Sequence, residues 1–108
     1  MQNILPDVIK TYIKASNERD IDTFISLFTN DAIVHDEGEE HRGLAAIRDW
    51  FTSTVAKYNF TLVPGDSTSD GTETILALKM SGEFPGSPVD AKFHFKLNNH
   101  RIVKLSVR

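Results

Sequence analysis

The stretch that decides the fold is residues 20–51, which read DIDTFISLFTNDAIVHDEGEEHRGLAAIRDWF. Asp20 can cap the start of a helix, because its carboxylate accepts a hydrogen bond from a free backbone N–H of the first turn. The apolar residues that follow at helical spacing predict that this helix runs over 21–28. Residues 32–36, AIVHD, then predict a short strand. That strand ends on Asp36, and a carboxylate in such a place either faces a pocket or lies in water.

The flanking sequence predicts two more helices and a sheet. Apolar residues at helical spacing over 5–16 predict a first helix, and a turn over 37–40 precedes a third helix that begins after Gly43. From residue 60 onward, apolar and polar residues alternate, which is typical of antiparallel strands with one buried face. The sequence therefore predicts one α+β domain over residues 1–108, with three N-terminal helices packed on a mainly antiparallel sheet.

Composition narrows the class of protein. The chain has 108 residues, of which 40% are hydrophobic and 25% charged, as in an ordinary globular domain. Its net charge of −3 argues against a nucleic-acid partner, because such binding depends on many Lys and Arg contacts to phosphate. No apolar run approaches the ~20 residues of a membrane span, so no membrane association is expected. The chain has no cysteine and no signal-peptide pattern, which favours a cytoplasmic protein.

Two histidines lie close to Asp36 in the sequence. Side chains alternate along a strand, so His35 should point to the face opposite Asp36, whereas His41 can fold back toward it after the turn. Together with Glu37 these residues could ligate a metal, but they match no recognised ligand spacing. The sequence also contains no phosphate-binding or dinucleotide-binding motif. Neither a metal nor a cofactor is therefore expected.

Two sequence patterns carry a resemblance to a known group of proteins. They are RDIDxFxxLFxxDAxVxD over residues 19–36 and RGxxxIRxWF over residues 42–51. With the order of elements, they resemble the SnoaL-like and ketosteroid-isomerase-like branch of the nuclear transport factor 2-like superfamily, over essentially the whole chain. The resemblance implies a cone, in which a strongly curved sheet wraps around the first helix and encloses a pocket for a small apolar molecule. It also implies a homodimer formed through the outer face of the sheet.

The resemblance implies roles for particular residues. Tyr12 stands where the isomerases of this superfamily have an oxyanion-stabilising tyrosine, and Asp36 stands at the position of their general base, at the same interval. Phe93 stands where those isomerases have a second, protonated acid. Loss of one oxyanion donor costs about 2.7–4 kcal/mol of transition-state stabilisation. Steroid isomerisation is therefore not expected of this chain.

Each candidate residue also has a structural interpretation. Tyr12 and Trp50 fall on apolar helical stripes and can belong to the core, and Asp36 can be a solvated carboxylate at the end of a strand. The candidates for substrate binding are Trp50, whose indole N–H would line the pocket as a donor, and four phenylalanines and a histidine: Phe24, Phe28, Phe93, Phe95 and His41. Two functions remain open. One is a small-molecule pocket with acid–base chemistry of the isomerase, dehydratase or cyclase type, and the other is a non-catalytic ligand-binding or dimerisation module of the same fold.

Overall fold

The structure, a computed structural model, describes residues 5–71 and 73–107. These residues form three helices and six strands: α1 (Asp7–Glu18), α2 (Ile21–Ser26), β1 (Phe28–Asp36), β2 (Glu39–Arg42), α3 (Leu44–Tyr58), β3 (Thr61–Asp70), β4 (Glu73–Ser81), β5 (Val89–Asn98) and β6 (Arg101–Val107). The predicted α+β class is confirmed. Among the described residues, no helix has the length and apolar character needed to span a bilayer.

The six strands form one sheet in the order β2-β1-β6-β5-β4-β3. All neighbouring pairs are antiparallel except β1 and β6, which run parallel. The sheet curls without closing, and the three helices pack on it, as in the expected cone. The parallel pair places the end of the chain beside β1, so the strand that ends on Asp36 lies inside the sheet rather than at its edge.

Helix α1 fills the inside of the curled sheet. Its buried residues recur at helical spacing and are Val8, Ile9, Tyr12, Ala15 and Ser16. The helix ends at Glu18, and the next residue, Arg19, has a φ of 60° in the left-handed region. The Arg19 guanidinium donates a hydrogen bond of 2.7 Å to the carbonyl of Phe60, which ties the end of α1 to the start of β3.

The second helix is shorter, and the strand after it longer, than the sequence indicates. Asp20 caps α2 as predicted, with its carboxylate accepting a hydrogen bond of 3.3 Å from the backbone N–H of Thr23. The helix ends at Ser26 rather than at 28, and β1 begins at Phe28 rather than at 32. Phe28 is paired with Ile102 of β6. The predicted boundary was wrong because this pairing joins segments far apart in the sequence.

The acidic segment 37–40 is a tight hairpin rather than a turn alone. Glu37 and Gly38 have φ values of 53° and 77°, and two consecutive positive φ values are typical of a two-residue hairpin loop. Glu39 then begins β2, a strand that the sequence analysis did not predict, and is paired with Asp36. The hairpin therefore brings a second acidic strand alongside the end of β1.

The core is rich in aromatic rings. The Phe24 ring lies 4.1 Å from that of Phe51, 5.0 Å from that of Tyr12 and 5.4 Å from that of Phe28, between centroids. The ring of Phe95 lies 5.1 Å from that of Tyr12, edge to face. Such pairs contribute about 0.5–1.5 kcal/mol beyond the burial of their area. This aromatic cluster packs around the Tyr12 ring inside the cone.

Candidate functional site

Asp36 lies where an internal cavity meets a surface cleft, and its side chain lines both. The register of the β1–β2 hairpin pairs Asp36 with Glu39 and Val34 with His41, so these four side chains share one face of the sheet. His35 points to the other face, where its Nε2 lies 3.7 Å from a carboxylate oxygen of Glu40. The alternation predicted for this strand therefore separates His35 from Asp36.

Trp50 of α3 fixes the orientation of the Asp36 carboxylate. Its indole Nε1–H donates a hydrogen bond of 3.0 Å to Oδ2 of Asp36. Helix α3 begins after Gly43, as predicted, and the Gly43 N–H donates to the carbonyl of Ala32 at 2.8 Å, which ties the start of the helix to β1. Trp50 therefore holds one of the two carboxylate oxygens of Asp36 at the boundary between the cavity and the cleft.

The surroundings of Asp36 raise the pKa of its carboxyl group above the usual value. Burial is the main cause, and the nearby charge of Glu37 acts in the same direction. The hydrogen bond from Trp50 and the nearby His41 lower the pKa and offset part of this effect. A carboxylate with a raised pKa is a stronger base than one in water, so this position suits proton transfer.

Tyr12 is almost completely buried, with 2% of its surface exposed, and its side chain lines the same internal cavity as Asp36. Burial raises the pKa of its phenol, and the negative charge of Asp36 raises it further. The phenol therefore stays protonated at physiological pH. A neutral phenol beside a carboxylate can donate a hydrogen bond to an oxygen that becomes negative during a reaction.

The internal cavity is small, with a volume of about 20 Å³. Its polar lining comes from Tyr12, Asp36, Trp50 and Thr54, and its apolar lining from Phe51, Phe60, Leu62, Met80, Phe93 and Val107. A space of this size holds about one water molecule. The cavity is therefore nearly filled by the side chains that line it.

The surface cleft is larger, about 280 Å³, and lies between α3 and the β1–β2 hairpin. Asp36, Trp50 and Thr54 line both the cleft and the cavity, and so form the boundary between them. At the tip of the hairpin, the Tyr58 hydroxyl donates a hydrogen bond of 2.9 Å to a carboxylate oxygen of Glu37. This bond connects the hairpin to the end of α3 at one side of the cleft.

The structure separates the predicted binding residues into two groups. Phe93 lines the cavity, and His41 lines the cleft, with its ring 6.1 Å from that of Trp50. The other three aromatic residues, Phe24, Phe28 and Phe95, are at most 1% exposed and line neither space. They pack in the core around Tyr12 instead, because helix α1 and the middle of the sheet enclose them.

Several residues of the site were missed by the sequence analysis. Thr54 follows Trp50 by one helical turn, so the spacing i, i+4 could have placed it beside the indole. Glu39 and Asp49 line the cleft from the hairpin and from α3, and no local pattern brings them together. Within the described ranges, no group of three or more His, Cys, Asp or Glu side chains has the arrangement to hold a metal ion.

A long helix enclosed by a curled sheet, with an acidic residue at the open end, is the architecture of nuclear transport factor 2-like proteins. The family model "SnoaL-like domain" matches residues 9–105, and the chain belongs to this family. These findings confirm the resemblance seen in the sequence.

Three solved structures illustrate the likeness. A proposed polyketide cyclase from Sinorhizobium meliloti has a TM-score of 0.94 and 36% identity, covering 96% of this chain and 95% of its own. The epoxide hydrolase/cyclase-like enzyme SalBIII, described in pyran ring formation in polyether salinomycin, has a TM-score of 0.82 and 26% identity over 94% and 86%. A nuclear transport factor 2-like protein of unknown function from Cytophaga hutchinsonii has a TM-score of 0.80 and 16% identity over 100% and 91%, a likeness of fold alone.

Proposed function

We propose that this protein transfers a proton within a small, largely apolar carbonyl compound, in a ring closure or an isomerisation. Asp36 is the base, and Tyr12 donates a hydrogen bond to the reacting oxygen. The observation that carries the proposal is the position of the Asp36 carboxylate, half-buried where the cavity meets the cleft and held by Trp50 at 3.0 Å. Such a carboxylate can reach a bound molecule and is basic enough to accept its proton.

The reaction can be written with the residues present. The ionised Asp36 takes a proton from the carbon next to a carbonyl group, and the electron pair of that C–H bond moves onto the carbonyl oxygen. The phenol of Tyr12 donates to this oxygen in a site largely closed to water, where such a bond counts for more than in solution. In a ring closure, the carbon then attacks a second carbonyl of the same molecule. Protonated Asp36 returns its proton to the new alkoxide, so the carboxylate is restored.

The sizes of the two spaces indicate how the molecule is held. The cavity of about 20 Å³ accepts one oxygen atom beside Tyr12, whereas the cleft of about 280 Å³ can hold the carbon skeleton. Trp50 lies between them and forms a flat apolar wall. The carbonyl end therefore enters first, and the reacting carbon lies beside Asp36.

The relatives support ring closure among the acid–base reactions. The Sinorhizobium meliloti protein, proposed as a polyketide cyclase, shares 36% identity over nearly the whole chain. SalBIII, described as epoxide hydrolase/cyclase-like, shares 26%. Both descriptions name a cyclase, and ring closure is a reaction that one base and one oxygen-binding donor can promote.

The direct test is the substitution Asp36→Asn in a screen of linear diketones and keto-esters. Asparagine keeps the shape of the side chain and can still accept the Trp50 hydrogen bond, but it cannot take a proton. We expect kcat/KM to fall about 10²–10⁴-fold, the usual contribution of a general base. The matched control is Asp90→Asn, which removes an exposed carboxylate on β5 and should leave turnover unchanged. Equal turnover by Asp36→Asn and the unaltered protein would contradict the proposal.

A second function is favoured by one observation. Phe93 lines the cavity where related isomerases have a second acid, so the site has fewer donors for a developing charge. The alternative is a non-catalytic module that binds a small molecule in the cleft. This alternative would be favoured by a ligand that binds the protein but is never converted, and that binds Asp36→Asn with the same affinity.

A further inference from the structure

We infer that the cleft rejects anionic molecules, so the compound that reaches Asp36 is a neutral or cationic ketone or ester and not a free acid or a phosphate-bearing thioester. The inference rests on the proposed function only where it names a ketone or an ester as the reacting group. The selection itself depends on the charges that surround the entrance to the site.

The charged groups that face the cleft come from two elements. The hairpin contributes Asp36, Glu37, Glu39 and His41, and α3 contributes Asp49 and Lys57. Among the described residues, four carboxylates therefore face one ammonium group, which leaves an excess of three negative charges when the histidine is neutral. A cleft with an excess of one sign of charge repels ions of that sign.

Nearby cations do not neutralise these carboxylates. Among residues 5–71 and 73–107, three ion pairs occur, and they join Glu40 to His35, Glu40 to Arg42, and Asp22 to Arg48. No carboxylate that lines the cleft takes part in them. The field of Glu39 and Asp49 is thus left to act on whatever enters.

The two arginines nearest in sequence are directed elsewhere. Arg42 follows the hairpin, but its guanidinium binds Glu40 with N–O distances of 2.7 and 3.1 Å. Arg48 of α3 lies 3.7 Å from a carboxylate oxygen of Asp22 on α2. A guanidinium is the usual group for holding a carboxylate or a phosphate, and neither arginine lines the cleft.

Lys57, the lysine that lines the cleft, has its ammonium group close to the Tyr58 ring. The Lys57 ammonium lies 5.1 Å from the centre of the Tyr58 ring, and the Tyr58 hydroxyl holds Glu37. Lys57, Glu37, Glu39 and Asp49 are all exposed, so water and salt screen their charges to a similar degree, whereas Asp36 is half-buried. Among the described residues that line the cleft, an anion would therefore meet the carboxylates of Asp36, Glu37, Glu39 and Asp49 against the single ammonium group of Lys57.

Quenching of Trp50 fluorescence tests the field directly, because Trp50 is the only tryptophan of the chain and lines the cleft. The probes are iodide, caesium and neutral acrylamide, each normalised to its quenching of N-acetyltryptophanamide. We expect the normalised constant for iodide to lie below that for caesium by about tenfold at low salt. This ratio should approach one at about 1 M sodium chloride, where the screening length is ~3 Å. Equal constants at low salt, or no quenching by acrylamide, would overturn the inference.

Matched variants locate the source of the field. Glu39→Gln with Asp49→Asn removes two charges from the cleft, and Asp66→Asn with Asp90→Asn removes two exposed charges elsewhere on the sheet. Iodide quenching should rise several-fold in the first pair and stay unchanged in the second. An equal rise in both pairs would show that net charge alone is responsible, which contradicts selection by the cleft.

Three ketones of nearly the same shape extend the test to ligands. Acetophenone, 4-acetylbenzoate and 4-acetyl-N,N,N-trimethylanilinium differ in charge, and their binding is followed through Trp50 fluorescence. We expect the anion to bind at least about tenfold more weakly than the other two. Equal or tighter binding of 4-acetylbenzoate, or binding of none of the three, would overturn the inference. The inference and the proposed function can fail separately. If the cleft still selects ligands by charge while Asp36→Asn retains full turnover, the inference is supported and the proposed function is contradicted.

Discussion

The two ends of β1 differ in burial and in the chemistry of their side chains. Phe28, at the start, is 1% exposed and packs its ring against those of Phe24 and Tyr12, at 5.4 and 6.3 Å between centroids. Asp36, at the other end, is a half-buried carboxylate with a cavity on one side and a cleft on the other. One strand thus supplies a packed ring at one end and a half-buried carboxylate at the other. The aromatic cluster around Phe28 therefore packs the part of the fold that holds the cavity and the cleft at Asp36 in place.

The two ends also contribute to stability with opposite sign. Burial of a ring such as Phe28 stabilises the fold by about 1.5–3 kcal/mol. The pKa of Asp36 is raised in the folded protein, so the folded state holds this proton more tightly than the unfolded state does. The stabilisation linked to that proton is fully present at low pH and is lost as the pH rises through the folded pKa. Ionised Asp36 therefore costs stability, which is common for functional groups.

The largest effect is expected at the packed end. Phe28→Ala removes a buried ring from the aromatic cluster and should lower the free energy of unfolding by about 3–5 kcal/mol. Urea unfolding followed by circular dichroism measures this loss. Val63→Ala is the control, because Val63 is 51% exposed and its truncation should change stability by less than about 0.5 kcal/mol. If Phe28→Ala lowers the free energy of unfolding by less than about 1 kcal/mol, the Phe28 ring does not make the packing contribution expected of a buried core residue.

Tyr12 belongs to both regions, and Tyr12→Phe separates its two contributions. The ring remains to pack against Phe24 and Phe95, but the hydroxyl that faces the cavity is lost. We expect kcat/KM to fall about 10²–10³-fold, as when one oxyanion donor is removed, with a much smaller change in unfolding free energy. Kinetics and urea unfolding of the same variant measure both. A large loss of stability with unchanged kcat/KM would assign Tyr12 to the core alone.

A smaller effect is expected from Trp50→Phe. The indole N–H stabilises the ionised form of Asp36, so its removal should raise the pKa of this carboxyl further. The acid limb of the pH–rate profile should then move to higher pH, while substrates still reach the site. A limb that stays in place or moves to lower pH would show that the 3.0 Å hydrogen bond does not control the charge of Asp36.

Much of the fold could be predicted because its signals are local. The Asp20 cap, the start of α3 after Gly43 and the alternation after residue 60 each depend on neighbouring residues. The start of β1 was misplaced because its pairing with β6 joins Phe28 to Ile102. No window of local sequence contains both segments, so the boundary could not be inferred from periodicity.

The site was harder to predict than the fold. The resemblance pointed to Tyr12 and Asp36, and helical spacing placed Trp50 on a buried face. All three line one cavity. The acidic cleft depends on the hairpin and α3 coming together, and β2 was not recognised as a strand. Aromatic residues of core and pocket look alike in a sequence, so Phe93 could not be told from Phe95. The homodimer through the outer sheet face stays a prediction, which light scattering at tens of micromolar would test.

The most direct test of the account is a carbon-13 NMR titration of the Asp36 carboxyl group, with Asp36→Asn used to assign its signal. The central claim is that this carboxyl is partly removed from water at the junction of cavity and cleft, and so is suited to accept a proton. We expect a pKa above that of an exposed aspartate, and a further rise in Trp50→Phe. A pKa at or below about 3.9 would identify a solvated group and contradict the claim.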